Sequence, residues 1–264
     1  NPEDYTARGK IITPLKDRIG AEIQTHYPAE ISIGMDITRQ EAWLDRGGVP
    51  AEVPDFIAEI VERIAFLGRE DKRIDQRSGV SQRMPITVLE SVVSSAERRA
   101  LLLEEDRAVP RVSDIYGALP AITGKMELEY EGELHGSDRI ARELISAAAS
   151  GVYQDRAGGS DVEEIIEYFE QGGALQVGSD SAAETCVQGF EIVPGLLELV
   201  QAVGFAPKSC SDGVRAGACE LVLEALAAER KISRSVTGSY VKARHETPPG
   251  QGYKGFDPFG GVSP

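Results

Sequence analysis

A chain of 264 residues is long enough to bury one large hydrophobic core or two small ones, and its 41% hydrophobic and 27% charged residues are ordinary for a soluble protein. The formal net charge of -15 disfavours nucleic acid as a partner. No apolar run approaches the roughly 20 residues that span a bilayer, so no membrane partner is predicted. The three cysteines form no C-x-x-C pair, which favours a reducing cytoplasm.

Residues 1–28 carry no initiator Met and no leader pattern, and they are typical of the interior of a domain. Asn1 stands before a proline and so favours a turn, because a residue that precedes proline avoids the helical region. A short helix with proline in its first turn is predicted around Arg18. The β-branched and aromatic residues of 22–27 predict a strand, which Pro28 ends. We therefore expect the sequence to begin inside a domain.

Helical patterns follow this segment. The clearest is strongly amphipathic, with apolar residues at helical spacing and a glycine at its end. Trp43, the only tryptophan, is expected to pack against the core. The predicted helices of this part of the chain cover residues 36–44, 55–68, 85–103 and 112–122.

The segment Ser78–Arg83 (SGVSQR) lies just ahead of one of these helices. A Gly-Ser loop before a helix N-terminus favours an anion site, because the free backbone N–H groups there attract negative charge. The alternative is that Arg83 is a solvated side chain beside a helix cap. Taken alone, the segment favours the solvated arginine, and the upstream motifs at Asn1 and Arg18 reverse that preference.

Three short motifs together resemble the AAA+ ATPases of the MoxR and magnesium-chelatase subunit I group. Asn1-Pro2 stands in the place of that family's sensor 1. Asp17-Arg18-Ile19 stands in the place of its arginine-finger triplet, although the family often has Phe where Ile19 is found, and a Tyr-Pro pair follows as in the family. Gly79–Arg83 matches the G-x-S-x-R pattern of sensor 2. The resemblance covers residues 1–125.

The resemblance implies the roles of three residues. Asn1 would orient the attacking water and Arg18 would complete the site of the neighbouring subunit, so both are candidate catalytic residues. Arg83 would bind the γ-phosphate of nucleotide held in its own subunit. The implied cofactors are ATP and Mg²⁺, and the implied partners are a homo-oligomeric ring, with a hexamer as one ring size, and a second protein that is remodelled. Insertion of magnesium into a porphyrin is one implied activity.

The sequence contains no G-x-x-x-x-G-K-[ST] phosphate loop. Gly117–Lys125 imitates one, but its glycines are two residues too far apart and Met126 replaces the Ser or Thr. Leu101–Asp106 imitates an acidic Walker B strand, but it continues the preceding helix. We therefore expect ATP and Mg²⁺ to be held mainly by elements outside these residues, and the chain alone to be inactive.

The expected fold class is mainly α, in four parts. Residues 1–50 would form the C-terminal edge of an α/β AAA+ core, residues 51–125 a helical lid, and residues 126–232 a helical C-terminal module. Residues 233–264, rich in Gly, Pro and polar residues, would form a flexible tail. Within the module, helices are predicted over residues 139–149, 163–172, 193–203 and 212–231.

Other candidate sites are weaker. The glutamates that alternate over residues 127–133 would share one face of a strand and could bind a hard cation, but a solvated acidic loop is the preferred interpretation. The three histidines are too far apart in sequence for a metal cluster, so no metal ligands are assigned. His26 is expected to be a core or interface residue of the predicted strand.

Two functions rival the ATPase motor. The first is a non-catalytic helical module in which residues 137–231 bind a partner protein and the ATPase motifs are remnants. The second is an AAA+ transcriptional activator, against which the absence of a basic helix-turn-helix at the C-terminus argues.

Overall fold

The computed structural model describes residues 17–21 and 23–243, and this part of the chain is mainly helical, as the sequence predicts. Three short strands are β1 (Leu175–Gln176), β2 (Ile232–Arg234) and β3 (Ser239–Lys242). The helices, numbered in chain order, are α1 (Ile31–Glu41), α2 (Asp55–Glu70), α3 (Arg83–Leu103), α4 (Val112–Gly117), α5 (Leu119–Thr123), α6 (Tyr130–His135), α7 (Ser137–Ala157), α8 (Glu163–Glu170), α9 (Ala183–Phe190), α10 (Leu196–Ala202) and α11 (Asp212–Ala228).

Helices α2 and α3 form where apolar periodicity predicts them. The α2 helix begins after Pro54 and buries a face that includes Phe56 and Ile60. The α3 helix ends at Leu103, because Glu104 adopts a left-handed conformation with φ of 56°. Leu101–Leu103 are thus the end of a helix, as predicted, and not a Walker B strand.

The single helix predicted over residues 112–122 is interrupted and becomes α4 and α5. Ala118 lies between them and is the cap of both. Pro120 falls in the first turn of α5, where its missing N–H removes no intrahelical hydrogen bond. The stretch Gly117–Lys125 therefore contains a helix at the positions where a phosphate loop would need open backbone.

Helix α11 is the centre of the packing, and nearly all of its residues from Gly213 to Leu226 are buried. It packs on α7, α9 and α10, while α7 also packs on α2. A small residue also lets the chain before α4 approach α11, because a Cβ at Gly213 would lie 2.6 Å from the Cβ of Val109. Burial on every side makes α11 the scaffold of the C-terminal half.

One continuous hydrophobic cluster extends from Phe56 to Tyr240 and includes residues of α2, α3, α7 and α11. The boundary predicted between residues 125 and 126 therefore does not separate two cores in the described part of the chain. The reason is α7, which follows that boundary and packs against α2 of the predicted lid.

The strand predicted over residues 22–27 is not formed. Glu22 lies outside the described residues, and residues 23–28 have no regular secondary structure and are mostly exposed. A strand needs a hydrogen-bonded partner, and no described strand lies beside this segment. His26 is accordingly exposed rather than part of a core. The helix predicted over 36–44 begins earlier, as α1, and Trp43 is 67% exposed beside Arg46 instead of packing in the core.

The flexible tail predicted from Ser233 onward is wrong for residues 233–243. Strands β2 and β3 form an antiparallel hairpin, and β1 pairs with β3, so that the sheet order is β1-β3-β2. Tyr240 pairs with Leu175 and is only 2% exposed. Gly238 is required at the turn, because its φ is +83° and a Cβ there would lie 2.8 Å from the carbonyl oxygen of Val177. Residues 244–264 lie outside the described residues.

Candidate functional site

The predicted sensor 2 segment is the end of the loop that joins α2 to α3. Gly79 has a φ of +64°, a left-handed conformation that favours glycine, and a Cβ there would collide with the hydroxyl of Tyr27. Ser78 donates a hydrogen bond to Glu127 at 2.5 Å, which ties the loop to the chain that precedes α6. Arg83 is the first residue of α3 and its side chain is exposed.

A buried carboxylate lies behind this loop. Glu62 of α2 is 0% exposed and accepts hydrogen bonds from Thr38 of α1, at 2.9 Å, and from Gln82, at 2.9 and 3.0 Å. Gly34 of α1 permits the approach, because a Cβ there would collide with the Glu62 carboxylate. Burial raises the pKa of Glu62, since desolvation outweighs the opposing effect of these hydrogen bonds. The network fixes the residue immediately before Arg83.

Arg69, in the last turn of α2, holds the loop from the other side. Its Nε donates to the carbonyl of Val80 at 2.9 Å and its Nη2 donates to Gln82 at 3.0 Å. The guanidinium also lies over the ring of Tyr27, 4.3 Å from the ring centroid. Burial lowers the pKa of Arg69. Tyr27 is thereby packed against both Arg69 and the Gly79 turn.

The structure brings Tyr27, of the predicted Tyr-Pro pair, to the sensor 2 loop. The chain that follows the predicted arginine finger reaches the sensor 2 loop through Tyr27. Arg18 itself is exposed. Among the described residues, neither Arg18 nor Arg83 forms a side-chain hydrogen bond or an ion pair, and no contact joins the two. Asn1 lies outside the described residues.

The residues that support this loop were missed by sequence reasoning. Glu62 was hidden within the apolar pattern of α2, although a carboxylate inside a strongly buried helix is itself a signal of a buried polar network. Gln82 is a variable position inside the predicted motif and was assigned no role. Thr38 and Arg69 could not be found without knowing how α1 crosses α2.

The alternating glutamates of residues 127–133 do not share one face of a strand. Leu128 makes an isolated bridge to Ile74, and residues 130–135 form α6, so the alternation is lost. Within the described ranges, no group of three or more His, Cys, Asp or Glu side chains is placed to hold a metal ion. Of the helices in residues 23–243, none combines the length and the apolar character needed to cross a bilayer.

Comparison of the chain with protein-family models, with curated proteins and with solved structures finds no significant match in any of the three.

Proposed function

We propose that this chain is the C-terminal part of a ring-forming AAA+ ATPase of the MoxR or magnesium-chelatase subunit I type, in which Arg83 binds the γ-phosphate of ATP. The observation that carries the proposal is the state of Arg83. Its side chain is exposed at the first position of a 21-residue helix and has no hydrogen bond or ion pair with any described residue. Arg69, by contrast, donates to the carbonyl of Val80 at 2.9 Å.

The chemistry of the position suits a phosphate. A guanidinium stays charged and binds oxygens through parallel N–H donors. The positive end of the α3 dipole adds attraction for an anion at the same place. Because Gln82 is held by Glu62 and Arg69, the backbone that carries Arg83 is fixed before a ligand arrives. Preorganised positive charge of this kind is what phosphoryl transfer requires.

Arg18 is assigned to the site of the neighbouring subunit. Its exposure and its lack of a partner among the described residues fit a side chain that acts outside its own subunit. Tyr27 packs the segment after Arg18 against the sensor 2 loop. A displacement of Arg83 on nucleotide binding would therefore be transmitted to the segment that follows Arg18. Asn1 would orient the attacking water, and hydrolysis would then require a homo-oligomeric ring, with a hexamer as one candidate.

The remaining assignments rest on the same resemblance. ATP and Mg²⁺ would be held mainly by residues other than those described, with Arg83 contributing to the triphosphate. When bound, Mg²⁺ would neutralise charge on the β- and γ-phosphates. Hydrolysis would drive the remodelling of a second protein in the cytoplasm. Insertion of magnesium into a porphyrin is one activity that such a motor would support.

The test is ATP binding and hydrolysis by the full-length protein carrying Arg83→Ala. We expect hydrolysis to fall by about two orders of magnitude or more, because one charge-stabilising group is lost at the reacting phosphate. The matched control is Arg77→Ala, which removes an exposed arginine from the same loop and should leave hydrolysis unchanged. Equal activities of the wild type and the Arg83→Ala variant would refute the assignment.

A further inference from the structure

Helix α6 buries its smallest residue and exposes its two largest apolar side chains. Gly132 is buried, and a Cβ there would collide with the carbonyl oxygen of Arg73. Tyr130 and Leu134 lie one helical turn apart on the other side of α6 and are 74% and 73% exposed. Exposed apolar side chains that share one face of a helix favour an interaction surface, and no described residue covers this face.

The segment that includes α6 is strongly acidic. Four glutamates are exposed there, and only one of them has a described side-chain hydrogen bond, which Glu127 accepts from Ser78 at 2.5 Å. Arg73, which lies against α6, is paired with two other carboxylates, and Lys125 is exposed without an ion pair to any described residue. Acidic side chains around an apolar pair fit a partner that carries both basic and apolar side chains. The glutamates are Glu127, Glu129, Glu131 and Glu133.

The N-terminal chain passes close to this surface. Tyr27 lies against Gly79, and the neighbouring residue Ser78 donates its hydrogen bond to the acidic segment. The chain before Asp17 lies outside the described residues. Residues 16–27 span at most about 40 Å when extended, whereas the six residues of α6 measure about 9 Å. Every position on α6 is therefore within reach of the chain that precedes this span.

Residues 8–16 (RGKIITPLK) have the chemistry that this surface requires. They contain three basic residues, three large aliphatic residues and no acid. Residues 244–264, which also lie outside the described residues, balance two basic residues with two acids and fit less well. A second copy of α6 fits poorly, because a two-fold contact would bring the same glutamates together. The basic and aliphatic residues are Arg8, Lys10, Lys16, Ile11, Ile12 and Leu15.

We propose that residues 8–16 dock on the exposed face of α6 in the same chain. Their aliphatic side chains pack against the exposed tyrosine and leucine, and their basic side chains lie beside the surrounding glutamates. Because Tyr27 is held at the sensor 2 loop, this second contact closes residues 17–26 into a loop that carries Arg18. The contact needs no nucleotide and does not rest on the ATPase proposal.

The test is limited digestion of the full-length protein with trypsin in the absence of nucleotide, with cleavage after Lys10 followed by mass spectrometry. A variant with both Tyr130→Ser and Leu134→Ser should raise the rate of this cleavage at least about fivefold, because proteolysis follows the population in which the segment is released. The matched control is Leu101→Ser with Leu102→Ser, which removes two apolar side chains of α3 that are 67% and 66% exposed and should leave the rate unchanged. Equal rates of cleavage in the wild type and in the α6 variant would overturn the proposal.

Zero-length carbodiimide cross-linking tests the charged part of the contact. We expect links from Lys10 or Lys16 to Glu131 or Glu133, with a yield per chain that does not change on dilution, because both groups belong to one chain. Links that disappear on dilution, or links of these lysines only to carboxylates outside residues 127–133, would contradict the proposal.

Discussion

Glu62 shows how single residues determine the geometry of the candidate site. Its carboxylate is fully buried and receives hydrogen bonds from Thr38 of α1 and from Gln82, so that α1, α2 and the loop before α3 meet at one side chain. Burying a carboxylate is unfavourable unless donors satisfy it. The position of Arg83 therefore depends on a network that lies behind it and never contacts the proposed phosphate.

Gln82→Leu should destabilise the protein by about 1–3 kcal/mol at neutral pH, because it leaves the Glu62 carboxylate short of donors. Burial already raises the pKa of Glu62 in the folded state. The contribution of Glu62 to the free energy of unfolding is therefore greatest below the pKa that Glu62 has in the unfolded chain, and it is lost as pH rises through the pKa of Glu62 in the folded protein. Loss of the Gln82 donors raises that pKa further, and the destabilisation should shrink at mildly acidic pH. Urea unfolding of the wild type and of Gln82→Leu, at neutral and at mildly acidic pH, measures the destabilisation at each pH.

The control for this substitution is Gln188→Leu, which changes an exposed glutamine and should alter the free energy of unfolding by no more than about 0.5 kcal/mol. A Gln82→Leu penalty that is the same at both pH values would contradict the role given to Glu62.

At the scale of elements, the β2–β3 hairpin has the largest structural role that the sequence did not predict. Tyr240 is 2% exposed in the common core, and Arg234 of the hairpin pairs with Glu224 of α11 at 3.0 Å. Tyr240→Ala should cost about 3–5 kcal/mol, as expected for truncation of a buried aromatic residue. Val236→Ala, at a hairpin position that is 77% exposed, should cost less than about 0.5 kcal/mol. Similar unfolding free energies for these two variants would mean that the hairpin is not part of the core.

The helices and the strands differ in how far local sequence determines them. Helix α2 follows from its apolar periodicity, since its buried face repeats within the element itself. The strands cannot be found in this way, because β1 has two residues and is defined only by pairing with β3 more than sixty residues later. The stretch at 22–27 has strand-like composition but no partner among the described strands, so composition alone misleads there.

The same difference between local and long-range features applies to the candidate site. The loop at Ser78–Arg83 could be located from its motif, because glycine and a helix start are local features. The network behind that loop could not, because Thr38 meets Glu62 only where α1 crosses α2.

At the scale of the whole molecule, the continuous hydrophobic cluster predicts cooperative unfolding of the described region. Urea unfolding followed by far-UV circular dichroism and by an amide-exchange probe in α2 and in α11 should give coincident transitions. Separate transitions for α2 and α11 would restore the boundary at residue 125 between a lid and a C-terminal module.

In the proposed motor, Arg18 of one subunit would complete the site of the next, and ATP hydrolysis by mixtures of full-length wild type and Arg18→Ala tests this directly. We expect the variant to bind ATP and to lose about 10³-fold or more of its turnover, and each added portion of it to lower wild-type activity within shared rings. An Arg18→Ala protein that hydrolyses ATP at the wild-type rate, alone or in mixtures, would contradict the account.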